Sequence, residues 1–157
     1  MDIKLLGGLL KRVGNYDPNK VKTDFNQRLI LQKTIYILQK GFGIDLGYHF
    51  SLYIKGPYSP SLAKDGYELI GNYERLPRLR FTDPKYEQKF TQFLAFLEPM
   101  KNDETKLELC ADLLYFYNST TQDSEELFEL VRRRNFKFDK ELYEEMFNYL
   151  KEFHLLN

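Results

Sequence analysis

Cysteine is almost missing from this chain of 157 residues: Cys110 stands alone. An internal disulfide and a multi-cysteine zinc site are therefore excluded, and a reducing, cytoplasmic setting is expected. Tryptophan is absent, and the two histidines, His49 and His154, are far apart and lack the spacing of a HExxH metal motif. No apolar run approaches the roughly 18–20 residues that span a bilayer, so no membrane is expected among the partners. The opening stretch, 2–14, has only a short apolar core and reads as an amphipathic helix rather than a signal peptide. Net charge is lacking too, with 23 Lys and Arg against 23 Asp and Glu. That balance weakens a case for non-specific nucleic-acid binding, which grows with the number of phosphates neutralised. A glycine-rich phosphate loop is also missing, because Gly41-Phe42-Gly43 lacks the third glycine and follows a helical pattern instead of a strand. No cofactor and no metal are expected.

What the chain does have is rings and a hidden charge split. Phe and Tyr number 13 and 12, and most fall on helical faces, so aromatic groups supply much of the core. Residues 1–80 carry 13 basic and 7 acidic groups, a net of +6, and residues 81–157 carry 10 and 16, a net of −6. The two parts can attract one another, or the first can offer a basic face to a polyanion.

Periodicity gives a mainly α chain with a small β-sheet, an α+β class. A helix capped by Thr23 or Asp24 runs to Gly41, with Leu31, Ile35 and Leu38 on one face. The period then becomes twofold: Tyr48, Phe50, Leu52 and Ile54 alternate with polar neighbours, as in a strand covered on one face that ends at Gly56-Pro57. Ser59-Pro60 starts the next helix, and a second strand is expected over Arg78 to Thr82. Helices follow over 84–98, 107–117, 125–134 and from Asp139 onward. The segment 107–117 is apolar almost all round and belongs at the centre of the helical part. The expected architecture is a winged-helix-like core over 1–82 with a helical extension, 83–157, packed on it.

Candidates for chemistry are few. Cys110 lies in the most apolar helix, where a thiol is inert. Glu87-Gln88-Lys89, with Asp65 and Glu68 upstream, has the acid plus Glu-x-Lys composition of a divalent-metal nuclease, in which carboxylates hold the ion and the lysine orients water. That motif normally occupies a strand, whereas here it falls in a helix. Basic groups make a third set. Arg75, Arg78 and Arg80 lie where a wing would be, Lys20, Lys22 and Arg28 surround the start of the 24–41 helix, and Lys64 lies on the helix after Ser59. Together they would suit a DNA-binding winged helix gripping phosphates. Arg132-Arg133-Arg134, Lys137 and Lys140 form another basic run; there the helix dipole and upstream glutamates offer a plain structural explanation.

Leu31-Gln32-Lys33-Thr34-Ile35-Tyr36 and Tyr53-Ile54-Lys55-Gly56-Pro57-Tyr58-Ser59-Pro60-Ser61-Leu62 carry a resemblance. A helix with L-x-K-x-x-Y, a strand ending in a Gly-Pro turn, and S-P-x-L opening a helix resemble the Panacea (SocA-type antitoxin) domains. The wording is closer still to the small YwgA-like proteins. The similarity covers residues 24–70. Valine more often follows Gly-Pro in the Panacea domains, whereas Tyr58 stands here. The resemblance implies a non-enzymatic, antitoxin-like regulatory module that binds a partner protein such as a toxin. The binding residues it points to are Lys33, Tyr36, Tyr53, Lys55, Gly56, Pro57, Tyr58 and Ser59. The winged-helix DNA regulator and the metal nuclease are its alternatives.

Overall fold

The computed structural model describes residues 2–156. Local sequence sets the helix starts. Helices α1 (Ile3–Val13), α2 (Phe25–Phe42), α4 (Pro84–Leu97), α5 (Glu104–Ser119), α6 (Ser124–Arg132) and α7 (Lys140–Glu152) follow Asp2, Asp24, Asp83, Asp103, Asp123 and Asp139. Each of these carboxylates accepts from a backbone N–H of the first turn, which satisfies a donor the helix leaves unpaired. Ser59 does the same for α3 (Pro60–Glu68). Between α2 and α3 lies the two-stranded antiparallel sheet, β1 (Ser51–Tyr53) and β2 (Gly56–Tyr58). The described residues are mainly helical with this one small sheet.

Helix α5 is apolar but for Glu108 and Asp112 along its buried length because it is central: Leu107, Leu109, Leu113 and Leu114 are fully buried, and α2, α6, α7 and β2 pack around it. One continuous apolar cluster extends from Leu6 to Leu156. Rings fill it, with Phe42 edge-on to Phe93 and Phe96, each 5.4 Å between centroids.

Three sequence expectations need correction. First, α2 does not stop at Gly41. It runs to Phe42, whose ring belongs to the core, and ends on Gly43 at φ +70°. Second, the long half-covered strand does not form. Tyr48 is buried and Phe50 half-buried against Tyr36, but Leu52 and Ile54 are exposed. Ile54 and Lys55 are the two-residue turn, and Gly56-Pro57 opens β2 instead of ending β1. Third, Arg78–Thr82 is not a strand, so the strand expected there for a wing does not form. The stretch 76–79 lies along α1, where two helical glycines make room. A Cβ on Gly7 would collide with Leu76 Cδ1, and one on Gly8 would come within 2.6 Å of Leu79 Cβ. The Leu79 N–H donates to the Gly8 carbonyl at 3.2 Å, so its pairing is spent on a helix.

Candidate functional site

Among the described residues no third strand lies beside the hairpin, and side chains reach its carbonyls instead. Lys33, from the middle of α2, donates to Pro57 O at 2.6 Å. Arg134, just beyond α6, donates to the carbonyls of Tyr53 and Ile54 and, through Nε, to Asp112 Oδ2 at 3.2 Å. Gln32 clamps Ser59 from both sides, accepting from its N–H at 2.8 Å and donating to its carbonyl at 2.9 Å. Tyr36 and Phe50 pack edge to face at 5.1 Å, and the rings of Tyr53 and Tyr58 lie 4.9 Å apart.

Beneath β2 a small charged cluster is buried. Asp112 is 1 % exposed and Lys33 2 %. Gly56, at φ +95°, lies directly over them: a Cβ there would stand 2.5 Å from Asp112 Oδ1 and 3.3 Å from Lys33 Nζ. No ion pair within 4 Å joins Lys33 to Asp112, and Asp112 Oδ1 has no hydrogen-bond partner. Burial pushes the Lys33 ammonium down from 10.5 to about 8, against the pull of Asp112 and Glu108. Burial likewise pushes Asp112 up from 3.8 to about 6, against the pull of Arg134.

Above the cluster opens a groove of about 510 Å³. Phe25, Arg28, Leu29 and Gln32 line it from α2, Tyr53, Ile54, Lys55 and Tyr58 from the hairpin, and Ala63 and Tyr67 from α3. Its rim is unusually apolar for a surface: Ile54 is 86 % exposed, Tyr53 50 %, Phe25 48 % and Tyr67 38 %. On the far side of α3, Tyr48 Oη donates to Asp65 Oδ2 at 2.7 Å and ties that helix to the loop before β1.

The residues expected to bind a partner thus divide in two. Tyr53, Lys55 and, partly, Tyr58 face the groove and solvent, whereas Lys33, Tyr36, Gly56, Pro57 and Ser59 are buried and hold the hairpin in place. The acidic set of the nuclease reading is not brought together. Glu87 takes a bidentate bond from Arg12, at 2.7 and 2.6 Å, plus the Phe81 N–H, and Arg12 holds its carboxyl down at about 2. Asp65 serves Tyr48, Glu68 ends α3 in solvent, and the Lys89 ammonium lies by the Tyr86 ring. Among the described residues no three His, Cys, Asp or Glu side chains are grouped to hold a metal ion.

The basic set is also spread out. Arg75, Arg78 and Arg80 lie on non-strand chain near α1, and Arg80 is 3.9 Å from Glu87. Arg75 borders a separate cleft of about 640 Å³ with Lys11, Asp17 and Glu74, where both signs of charge meet. Lys20, Lys22 and Lys64 are exposed, and Arg28 belongs to the apolar groove.

Sequence reasoning missed Asp112 and Arg134 as members of the site, and missed Phe25 and Tyr67 as its rim. The available signal was Glu108 with Asp112, two acids one turn apart in an otherwise apolar helix that needs a cation opposite. Compared with protein-family models, with curated proteins and with solved structures, the chain matches none. No described helix is long and apolar enough to cross a membrane.

Proposed function

We propose that the chain is a non-enzymatic interaction module of the antitoxin-like kind, which binds a partner protein by taking one of its segments into the groove between α2, the hairpin and α3. One observation carries this reading. Ile54 stands 86 % exposed on a turn whose main chain is pinned from behind by Arg134, beside a concave apolar surface. An exposed apolar tip held in one place is a ready contact, because little conformational entropy is left to lose on binding. Covering Ile54 releases at most about 1.5–3 kcal/mol, and the half-buried Phe25, Tyr53 and Tyr67 each release less, against the cost of association. The resemblance of residues 24–70 to antitoxin domains points to the same class of partner.

A photo-crosslinking amino acid at Tyr67, introduced in the native host, should join the chain to one defined protein. Ile54→Asp should abolish that product without lowering the melting temperature, because the side chain it changes is almost wholly in solvent. A product indifferent to Ile54→Asp, or one obtained equally from Glu144 on the exposed part of α7, would refute the reading.

A further inference from the structure

The groove has one sign of charge. Its charged lining consists of Arg28, Lys33 and Lys55, and no carboxylate lines it. Arg28 is held for use: its Nη1 donates to the carbonyls of Val21 and Lys22 at 3.0 and 3.2 Å, and its guanidinium lies 5.5 Å from the Phe25 ring. Those bonds leave Nε and Nη2 with their donors, the pair that a carboxylate bridges side-on. Lys55, exposed on the hairpin turn, makes no ion pair with any described residue. Of the acids next to the rim, Asp24 spends its carboxylate capping α2 and Glu68 lies past the last lining residue of α3. Apolar surface flanked by two unspent cations selects its occupant by charge as well as by size.

We infer that the groove receives an acidic peptide segment of the partner: a large aliphatic or aromatic side chain enters between Tyr67 and Ile54, and a neighbouring Asp or Glu meets Arg28 and Lys55. This rests on the proposed docking role of the groove and adds the chemistry of what docks. A concave site of about 510 Å³, within the roughly 300–1,000 Å³ of ligand pockets, has room to enclose a side chain.

The test is selection of a random short-peptide display library on the full-length chain, followed by titration of synthetic copies of the enriched peptides. Enriched peptides should pair Asp or Glu with a large apolar residue and compete with one another. They should lose all binding to Ile54→Asp and weaken with added salt. Arg28→Gln should weaken them about tenfold or more, the factor one charge-assisted hydrogen bond supplies. Lys55→Glu, a change on an exposed turn that leaves the fold alone, should weaken them by a similar factor. Neutral or basic peptides that bind the wild type and fail on Ile54→Asp would overturn the acidic class while leaving the groove as a docking site. No enriched peptide, or peptides that bind Ile54→Asp unchanged, would overturn both. Sedimentation with phosphatidylserine-containing vesicles, lost in Ile54→Asp, would overturn the peptide in favour of a membrane surface.

Discussion

Gly56 is where the hairpin, the buried charges and the groove depend on one missing methyl group, so Gly56→Ala is the most informative substitution. Two costs arise. At φ +95° an L side chain is strained, at about 1–3 kcal/mol. The new Cβ would also stand 2.5 Å from Asp112 Oδ1, a contact that real Cβ atoms do not make. Asp112 is not free to retreat, since Arg134 holds its other oxygen and the side chain is buried. Relieving such overpacking costs about another 1–3 kcal/mol. The reduced freedom of the unfolded chain returns about 0.4–1 kcal/mol. The net loss is roughly 2–5 kcal/mol, which for a chain of this size lowers the melting temperature by on the order of 10 °C. Gly47→Ala is the control: its φ is +86°, but nothing lies within 4 Å of its Cβ position, so it suffers only the backbone strain. Urea unfolding of the two variants and the wild type, with the slopes compared, separates strain from collision. If Gly56→Ala loses no more than Gly47→Ala, to within about 0.5 kcal/mol, the close approach of β2 to Asp112 is refuted.

Other consequences can be measured on the same purified chain. The Arg12 guanidinium beside Glu87 holds its carboxyl at about 2 instead of 4.5, so the stability it contributes is present above pH 4.5 and is lost as the pH falls through 2. Glu87→Gln should lower the urea midpoint at pH 7 and flatten the acid limb of the stability profile between those values. Asp112 has the opposite sign. With a folded value near 6 against an ordinary 3.8, the folded state holds the proton more tightly, and stability declines as the pH rises from about 3.8 through 6. Asp112→Asn should remove that slope, and an unchanged slope would show that Asp112 is not the group responsible. Burial pushes the Cys110 thiol well up and leaves it 0 % exposed. A thiol-disulfide reagent should therefore leave the native chain unlabelled and label it fully in urea, and rapid native labelling would contradict the position of α5.

Where information is local, the sequence was legible. Aspartate or serine immediately before a helix binds a backbone donor two or three residues away, so Asp24, Ser59 and Asp139 marked helix starts without any knowledge of the fold, whereas the cap at Asp103 went unread and the central helix starts at Glu104 instead of Leu107. The all-apolar stretch 107–117 likewise announced the central helix. The strands failed because what decides them is distant. The alternation from Tyr48 to Ile54 mixes side chains with unrelated fates. Tyr48 is fixed by Gln39 and Asp65 and Phe50 by Tyr36, while the Ile54 side chain stands in solvent. The segment 78–82 has the alternation of a strand, yet its neighbour is the glycine face of α1, some 70 residues earlier in the chain. The Gly-Pro-Tyr-Ser-Pro stretch lies beside the groove, but most of its residues and their supports are buried fasteners, and the exposed apolar surface next to them lies on Ile54, Phe25 and Tyr67.

The placement of charge explains why those fasteners are ionic. An isolated two-stranded hairpin is marginal in water; the carbonyls of Ile54 in the turn and Pro57 on the outer edge bond no other strand, and that of Tyr53, paired with Gly56 across the turn, takes a second donor. Arg134 and Lys33 supply the missing donors from a loop and a helix far away in sequence. Taking Lys33 and Asp112 out of water for this purpose costs stability, as the opposite displacements of their pKa values show. Apolar residues of similar volume would cost less, but they could not hold those carbonyls in place. Folding free energy is thus given up beneath the hairpin where its turn is held in place, with the Ile54 side chain left in solvent.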